Sequence, residues 1–255
     1  MLELNYKSFG QGDPVIILHG LFGTLDNWQT LARKLGEQFT VYLVDQRNHG
    51  RSPHDPEHTY TALAEDLHHF MESHWMFKAH IIGHSMGGKT AMTFAKLYPD
   101  MVDKLVVVDI APKAYAGGHE EIFRALQSVD LPNISARSDA DEQLQQRIPE
   151  KSIRQFLLKN LSRDKDGGYR WKMNLAALWD HYKDVLQMPL AGHPFEGDTL
   201  FIRGEKSNYI LDEDQPLLAN EFPGSQLKTI PGAGHWVHAQ APGQLLGLLE
   251  QFLSQ

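Results

Sequence analysis

The chain has 255 residues, of which 42% are apolar and 22% charged, and its 32 Asp and Glu residues outnumber 24 Lys and Arg to give a formal net charge of -8. This apolar fraction is ample for a packed core and excludes a disordered chain. The absence of cysteine excludes a disulfide scaffold, a thiolate zinc site and a cysteine nucleophile.

The charge balance and the first residues predict the surroundings of the protein. An acidic chain without a block of Lys or Arg is a poor match for nucleic acid or anionic membranes, so neither partner is expected. Residues 1–7 (MLELNYK) show no basic stretch followed by an apolar run, and no run elsewhere is long enough to span a bilayer. We therefore expect a soluble cytoplasmic protein without stable membrane insertion; the sequence leaves its oligomeric state open.

Short apolar runs rich in Val and Ile recur along the chain and end at turn residues. Runs of this kind are typical of strands that are buried on both faces, as in a parallel sheet. The predicted strands cover residues 15–18, 41–44, 79–82, 105–108, 199–202 and 226–230.

Between these runs, apolar residues recur at helical spacing. Four sets each share one helix face: Trp28, Leu31, Ala32 and Leu35; Leu63, Leu67, Phe70 and Met71; Ala91, Phe94 and Ala95; and Leu245, Leu248, Leu249 and Phe252. The alternation of strand and helix predicts an α/β fold with a mostly parallel central sheet flanked by helices.

The segment 112–197 interrupts this alternation because it contains no convincing buried strand. Two helical patterns are predicted inside it, one marked by Phe156, Leu157 and Leu161 and one by Leu175, Leu178, Trp179 and Tyr182. A connection of this length must carry its own structure. We interpret it as a helical cap inserted before the last two strands, with residues 1–111 and 198–255 forming the core domain; the alternative is an insertion without a role in the active site.

The motif at 83–88 (GHSMGG) lies directly between a predicted strand and a predicted helix. This context is typical of a nucleophile elbow, in which a sharp turn presents a serine at the carboxyl edge of a sheet. Glycines at 83 and 87 leave room for the turn. Ser85 is therefore the candidate nucleophile; the alternative is an ordinary Gly-rich turn.

A serine hydroxyl needs a base, and His235 is the best candidate among the 14 histidines. It follows the last predicted strand in the motif 231–235 (PGAGH), which brings it to the same sheet edge as Ser85. The nearby His238 is an alternative but is expected on the next helix as a structural residue. His19, after the first predicted strand, is interpreted as bracing its loop.

Acyl transfer builds an oxyanion that needs hydrogen-bond donors already in place. The backbone N–H of Met86, directly after the nucleophile, is one candidate. The N–H of Leu21, in the loop after the first predicted strand, is the other. The evidence for both is their position alone.

Four motifs together resemble the α/β-hydrolase superfamily and cover essentially the whole chain: 19–23 (HGLFG), 45–52 (DQRNHGRS), 83–88 (GHSMGG) and 232–235 (GAGH). The sequences at 48–50 (NHG), 109–112 (DIAP) and 178–180 (LWD) are similar to the bacterial YbfF esterase group. The resemblance implies a serine esterase or thioesterase that acts on acyl esters, with acyl-CoA among the candidates, beneath a helical cap.

The sequence departs from this family at the third member of the triad. Most relatives place the acid in a Gly-x-x-Asp turn, but here the turn at 204–207 reads GEKS and ends in Ser207. Asp109 ends a strand that is expected beside the Ser85 strand, so its carboxylate could accept from His235 Nδ1. Asp109 is preferred over Glu205, Asp212 and Asp214; the alternative is a structural Asp. Ser207 is a candidate auxiliary hydrogen-bond donor or a simple turn residue.

The predicted activity is a ping-pong hydrolysis of an acyl ester or thioester without cofactor or metal. Phe22 and apolar cap residues would form the acyl pocket, and Trp179 could face the substrate. A C–C bond hydrolase, a cofactorless lyase and a noncatalytic ligand-binding protein stay open, because a fold does not fix its chemistry. Dehalogenases and epoxide hydrolases need an Asp where Ser85 stands.

Overall fold

The computed structural model describes residues 1–188 and 192–255. In this part of the chain, a seven-stranded sheet has the order β1-β3-β2-β4-β5-β8-β9. The strands are β1 (Tyr6–Phe9), β2 (Pro14–Leu18), β3 (Thr40–Val44), β4 (Ala79–His84), β5 (Val102–Val108), β8 (Thr199–Gly204) and β9 (Ser225–Ile230); β6 and β7 belong to a separate hairpin.

All strands of the sheet run parallel except β1, which pairs antiparallel with β3. The six predicted strands and the α/β fold are confirmed, whereas β1 was not predicted. Three of its four residues are exposed, and its sequence YKSF lacks the continuous apolar run that marks a doubly buried strand.

Helices cover both faces of the sheet and pack against it through apolar clusters. One cluster joins Leu67 and Phe94 to the sheet, and the other joins Trp28 and Leu249 to its opposite face. The helices of this layered core are α1 (Gln29–Leu35), α2 (Tyr60–Ser73), α3 (Met86–Leu97), α9 (Gln215–Glu221), α10 (Val237–Gln240) and α11 (Pro242–Leu253), with 3-10 turns at Leu25–Trp28, Pro99–Met101 and Asp212–Asp214. None of the helices in the described ranges combines the length and the apolar character that a membrane crossing requires.

The insertion between β5 and β8 contains α4 (Glu120–Ser128), α5 (Arg137–Gln145), α6 (Lys151–Leu158), β6 (Leu161–Arg163), β7 (Tyr169–Trp171), α7 (Leu175–Asp180) and α8 (Tyr182–Leu186), with a 3-10 turn at Leu131–Asn133. It has its own apolar cluster, which also includes Phe22 from the sheet side. The predicted cap 112–197 includes residues 189–191, which lie outside the described residues.

Two local predictions in this insertion need correction. Leu161 does not continue the helix of Phe156 and Leu157; it begins β6, which pairs antiparallel with β7. This hairpin was missed because its two strands have three residues each, too few for a period to show. The second predicted helix is divided into α7 and α8 at His181.

Candidate active site

The parallel strands bring their carboxyl ends to one edge of the sheet, and the candidate residues lie along it. His84, at the end of β4, is in register with Val108, at the end of β5, and Val108 is in register with Ile202 of β8. The residues that directly follow these strands, and the loop after β9, therefore share this edge.

Ser85 occupies the sharp turn between β4 and α3. Its backbone angles are φ 52° and ψ -120°, a region that L-residues rarely adopt. The turn is held because Ser85 N–H donates to Val108 O (3.0 Å) and Ser85 O accepts from Lys89 N–H (3.1 Å). The strain places the hydroxyl at the head of the helix, as the elbow motif requires.

The glycines of the motif are needed because other backbone passes too close for a side chain. A Cβ at Gly83 would lie 2.1 Å from Gly87 O, and a Cβ at Gly87 would lie 2.4 Å from Leu18 O. Both contacts are far inside van der Waals distance, so α3 can pack on the sheet at this angle only with glycine at these positions.

His235 lies in the loop between β9 and α10 and reaches Ser85. Its Nε2 is 3.0 Å from Ser85 Oγ. Tyr209 stacks on its ring with centroids 3.8 Å apart, and His84 Nε2 contacts the backbone carbonyl oxygen of His235 at 2.9 Å. Burial holds the pKa of His84 well below its usual value, so this ring is neutral and donates through Nε2–H.

Asp109 directly follows β5 and is fully buried, with φ 55°. Its Oδ2 lies 2.8 Å from His235 Nδ1 and also accepts from Ser207 Oγ at 2.5 Å, and its Oδ1 accepts from Gly204 N–H at 2.9 Å. A carboxylate that accepts from Nδ1–H leaves Nε2 unprotonated toward the serine. The geometry therefore joins Ser85, His235 and Asp109 in one hydrogen-bonded chain.

The other carboxylates that the sequence offered lie elsewhere. Glu205 accepts from Gly232 N–H at 2.8 Å, Asp212 pairs with Arg203 at 2.6 Å, and Asp214 pairs with Lys113 at 2.7 Å. In the described residues none of them bonds to the His235 ring.

The candidate oxyanion donors both lie near Ser85: Leu21 lines the same pockets as Ser85, and Met86 directly follows it in the chain. Met86 is the first residue of α3, so its N–H has no acceptor within the helix. In the described part of the chain the N–H of Leu21 likewise donates to no protein acceptor. Both amides are thus free to donate to a substrate oxygen.

The loop that carries Leu21 is stabilised by a hydrogen bond to a buried histidine, His49. Phe22 has φ 59°, and its N–H donates to His49 Nε2 at 3.3 Å. His49 Nδ1 contacts Arg47 O at 3.0 Å. Because burial lowers the pKa of His49 far below its usual value, the ring is neutral, donates through Nδ1–H and accepts through Nε2.

Two pockets open beside Ser85, and Leu21 and His119 line both of them. The first, here the histidine-side pocket, is further lined by Phe22, Gly23, Trp28, His84, Ile122, Ile153, Phe156, Leu157, His235, Trp236 and His238. The second, here the lysine-side pocket, is further lined by Tyr60, Met86, Lys89, Ile110, Tyr115, Gly117, Val185, Leu186 and Tyr209.

Of the two residues predicted to face the substrate, Phe22 and Trp179, only Phe22 lines one of these pockets. Phe22 is buried and lines the histidine-side pocket. Trp179 lines neither pocket; it is 39% exposed and packs against Phe123 (centroids 5.2 Å apart) and Tyr182. His238 stacks on Trp28 at 4.6 Å, and His19 accepts from Gln46 N–H through Nε2 at 3.1 Å, so both act structurally as expected.

Sequence reasoning missed three residues beside the candidate nucleophile. Tyr209 covers the His235 ring, His119 lies between the pockets, and Lys89 lines one of them. Burial lowers the pKa of His119 to about 4. The only available signal was Lys89, which follows Ser85 by one helical turn and so shares its face of α3.

The chain is similar to several known proteins. The sequence model of the α/β hydrolase fold family matches residues 13–242. The chain is 40% identical over 264 residues to the sn-1-specific diacylglycerol lipase ABHD11 of Danio rerio (99% of this chain, 83% of that protein) and 40% identical over 245 residues to esterase YbfF of Escherichia coli K12 (94% and 93%). The solved structure of a marine microorganism esterase matches with a TM-score of 0.97 and 45% identity, covering 99% of this chain and 100% of that one.

Proposed function

The chain belongs to the α/β-hydrolase family, and from this premise we propose that it is a serine ester hydrolase with Ser85 as nucleophile, His235 as base and Asp109 as acid. The observation that carries the proposal is the continuous chain of hydrogen bonds from Ser85 Oγ through His235 (3.0 Å) to Asp109 (2.8 Å). The names of the relatives, two esterases and a lipase, agree with this class of reaction.

In the first half of the reaction, Ser85 Oγ attacks the ester carbonyl carbon while His235 Nε2 takes its proton. The charge that develops on the carbonyl oxygen is stabilised by the N–H groups of Leu21 and Met86. Asp109 stabilises the imidazolium that forms. His235 then protonates the leaving oxygen, and the alcohol departs from an acyl-Ser85 intermediate.

In the second half, water replaces the alcohol. His235 takes a proton from water as the water attacks the acyl-enzyme, and then returns a proton to Ser85 Oγ as the carboxylic acid leaves. Ser207 acts as an auxiliary residue: its hydroxyl donates to the same Asp109 oxygen that faces His235, which keeps the carboxylate oriented.

The insertion 112–197 serves as a cap that closes the two pockets over Ser85. It supplies His119, Ile122, Ile153, Phe156 and Leu157 to the histidine-side pocket and Tyr115, Val185 and Leu186 to the lysine-side pocket. These linings are mainly apolar, which suits acyl esters, including acyl thioesters, whose reaction follows the same steps with a thiol as leaving group.

The test combines a covalent probe with turnover. A fluorophosphonate should label the native protein, and the label should be lost in Ser85→Ala, which should also lose p-nitrophenyl acetate hydrolysis by a factor of about 10³ or more. Ser85→Ala should keep its thermal transition, because it removes one partly buried oxygen. A native protein that is neither labelled nor active on acyl esters or acyl-CoA thioesters would instead favour a noncatalytic binder.

A further inference from the structure

Lys89 is a buried cation one helical turn after the candidate nucleophile, and the mechanism does not use it. Its side chain is 1% exposed, and Lys89 N–H donates to Ser85 O. Its ammonium donates to three backbone carbonyls at the end of α8: Val185 O (3.3 Å), Leu186 O (2.9 Å) and Gln187 O (2.8 Å). The nucleophile helix is thereby tied directly to the cap.

The acceptors explain why a lysine is tolerated there. The last carbonyls of a helix lack partners within the helix and carry a partial negative charge, so a cation at this end is stabilised. Burial lowers the pKa of Lys89 to about 7. The three carbonyl oxygens act in the opposite direction, because they accept only from N–H groups and therefore favour the ammonium form.

Two tyrosines hold the same end of α8. Tyr60 OH donates to Val185 O at 2.7 Å, and Tyr115 N–H donates to Leu186 O at 3.0 Å. The Lys89 ammonium also lies 5.6 Å from the Tyr60 ring centroid and 4.9 Å from that of Tyr115. Together these contacts hold one wall of the lysine-side pocket, which Val185 and Leu186 line.

The proposed mechanism indicates which part of an ester binds in each pocket. His235 must protonate the leaving oxygen, so the leaving group extends on the side that His235 lines, the histidine-side pocket. The acyl group occupies the remaining direction, toward the pocket that Met86 lines and His235 does not. This assignment differs from the sequence expectation, which placed Phe22 in the acyl pocket.

On the premise of the proposed function, we infer that Lys89 is a positioning residue that limits the length of the acyl group by holding α8 as the end wall of the lysine-side pocket. It acts through the cap and does not bind the substrate, because all three of its N–H groups are donated to carbonyls. The pocket therefore selects acyl groups by their length. It does not favour acyl groups that end in a carboxylate, because the Lys89 ammonium is already occupied by the three carbonyls.

The experiment compares the wild type with Lys89→Met, which keeps the length of the side chain but cannot donate. One series varies the acyl chain of p-nitrophenyl esters from acetate to octanoate, and a second varies the alkyl group of acetate esters. In Lys89→Met the ratio of kcat/KM for octanoate to that for acetate should rise about tenfold, whereas the alkyl series should keep its profile.

Phe156→Ala, in the histidine-side pocket, is the matched control: it should change the profile of the alkyl series, whereas the octanoate-to-acetate ratio of the acyl series should stay as in the wild type because its members share one leaving group. Tyr60→Phe removes one hydrogen bond to the same wall, and should shift the acyl series in the direction of Lys89→Met by a smaller factor; it carries the test if Lys89→Met does not fold.

Two results would overturn the inference. One is an acyl ratio unchanged in folded, phosphonate-reactive Lys89→Met and Tyr60→Phe. The other is a wild-type preference for p-nitrophenyl hydrogen succinate over the butyrate ester that disappears in Lys89→Met, since this would make Lys89 a substrate-binding cation. A failure of the proposed function itself looks different, because the wild type would then neither react with phosphonate nor hydrolyse any ester.

Discussion

Ser207 donates a hydrogen bond to Oδ2 of Asp109 at 2.5 Å, although the two residues come from the ends of different strands. The same oxygen faces His235 Nδ1, and the other carboxylate oxygen accepts from Gly204 N–H. The turn after β8, where the family usually places its acid, thus supplies two donors to a carboxylate that comes from β5. In this chain the proposed acid therefore comes from the end of β5, and the turn after β8 supports it.

Asp109→Asn should lower kcat for p-nitrophenyl acetate by about 10³- to 10⁴-fold with little change in KM. An amide can donate to Nδ1 and so favours the tautomer whose Nε2 carries a proton and cannot accept from Ser85. Asp212→Asn and Glu205→Gln serve as controls and should retain most activity, because neither carboxylate contacts His235. A loss of similar size in either control would move the acid assignment to that residue.

Ser207→Ala should have a milder effect, because Asp109 keeps two of its three donors. We expect kcat to fall about tenfold, which corresponds to one hydrogen bond to a charged group. Ser207→Thr, which keeps a hydroxyl, should recover most of the loss. Equal activity of the Ala variant and the wild type would leave Ser207 as a turn residue only.

The proximity of the candidate catalytic residues could be predicted because each directly follows a strand or lies in the loop after one. Parallel strands end at a common edge, so Ser85, Asp109 and His235 had to approach each other once the strands were assigned correctly. The sharp turn at Ser85 was also predictable, because glycines at 83 and 87 indicate that the backbone passes too close there for a side chain.

Other features could not be predicted, because they depend on contacts between distant elements. The edge strand β1 gains its pairing from β3, and its own sequence has no strong pattern. In the sequence Tyr209 resembles an ordinary loop residue and Lys89 an ordinary helix residue. Only the fold brings Tyr209 onto the His235 ring and the Lys89 ammonium to the end of α8. The length and composition of a pocket follow from such contacts.

His49 should affect catalysis without touching the substrate. His49→Phe removes the acceptor of Phe22 N–H, so the loop that carries Leu21 becomes less ordered; kcat should fall about tenfold at nearly constant KM, since oxyanion donors act mainly in the transition state. His49→Gln, which retains an acceptor, should be less impaired. An increase in KM alone would show that His49 shapes the pocket and does not position the donor.

Gly83→Ala should lower the free energy of unfolding by about 3 kcal/mol or more, because its Cβ would lie 2.1 Å from a backbone oxygen that cannot move without shifting α3. Gly247→Ala is the matched control. Gly247 lies exposed within α11 with nothing near its Cβ position, so alanine should be neutral or stabilise by up to about 1 kcal/mol. Urea unfolding of the three proteins measures both effects.

Buried histidines should make the fold sensitive to acid, and His58 offers a direct test. Burial, with a smaller contribution from Arg47, lowers the pKa of His58 to about 3. Between that value and about 6.5 the unfolded chain binds a proton at this position and the folded chain does not, so the free energy of unfolding falls as the pH is lowered.

His58→Leu replaces the ring with a side chain of similar volume and removes an Nε2 that is buried without a partner in the described residues. The slope of stability against pH in this window should therefore decrease, by at most about 1.4 kcal/mol per pH unit. Urea unfolding of both proteins from pH 4 to 8 measures the slope, and identical slopes would show that the pKa of His58 in the folded state is close to its value in the unfolded chain.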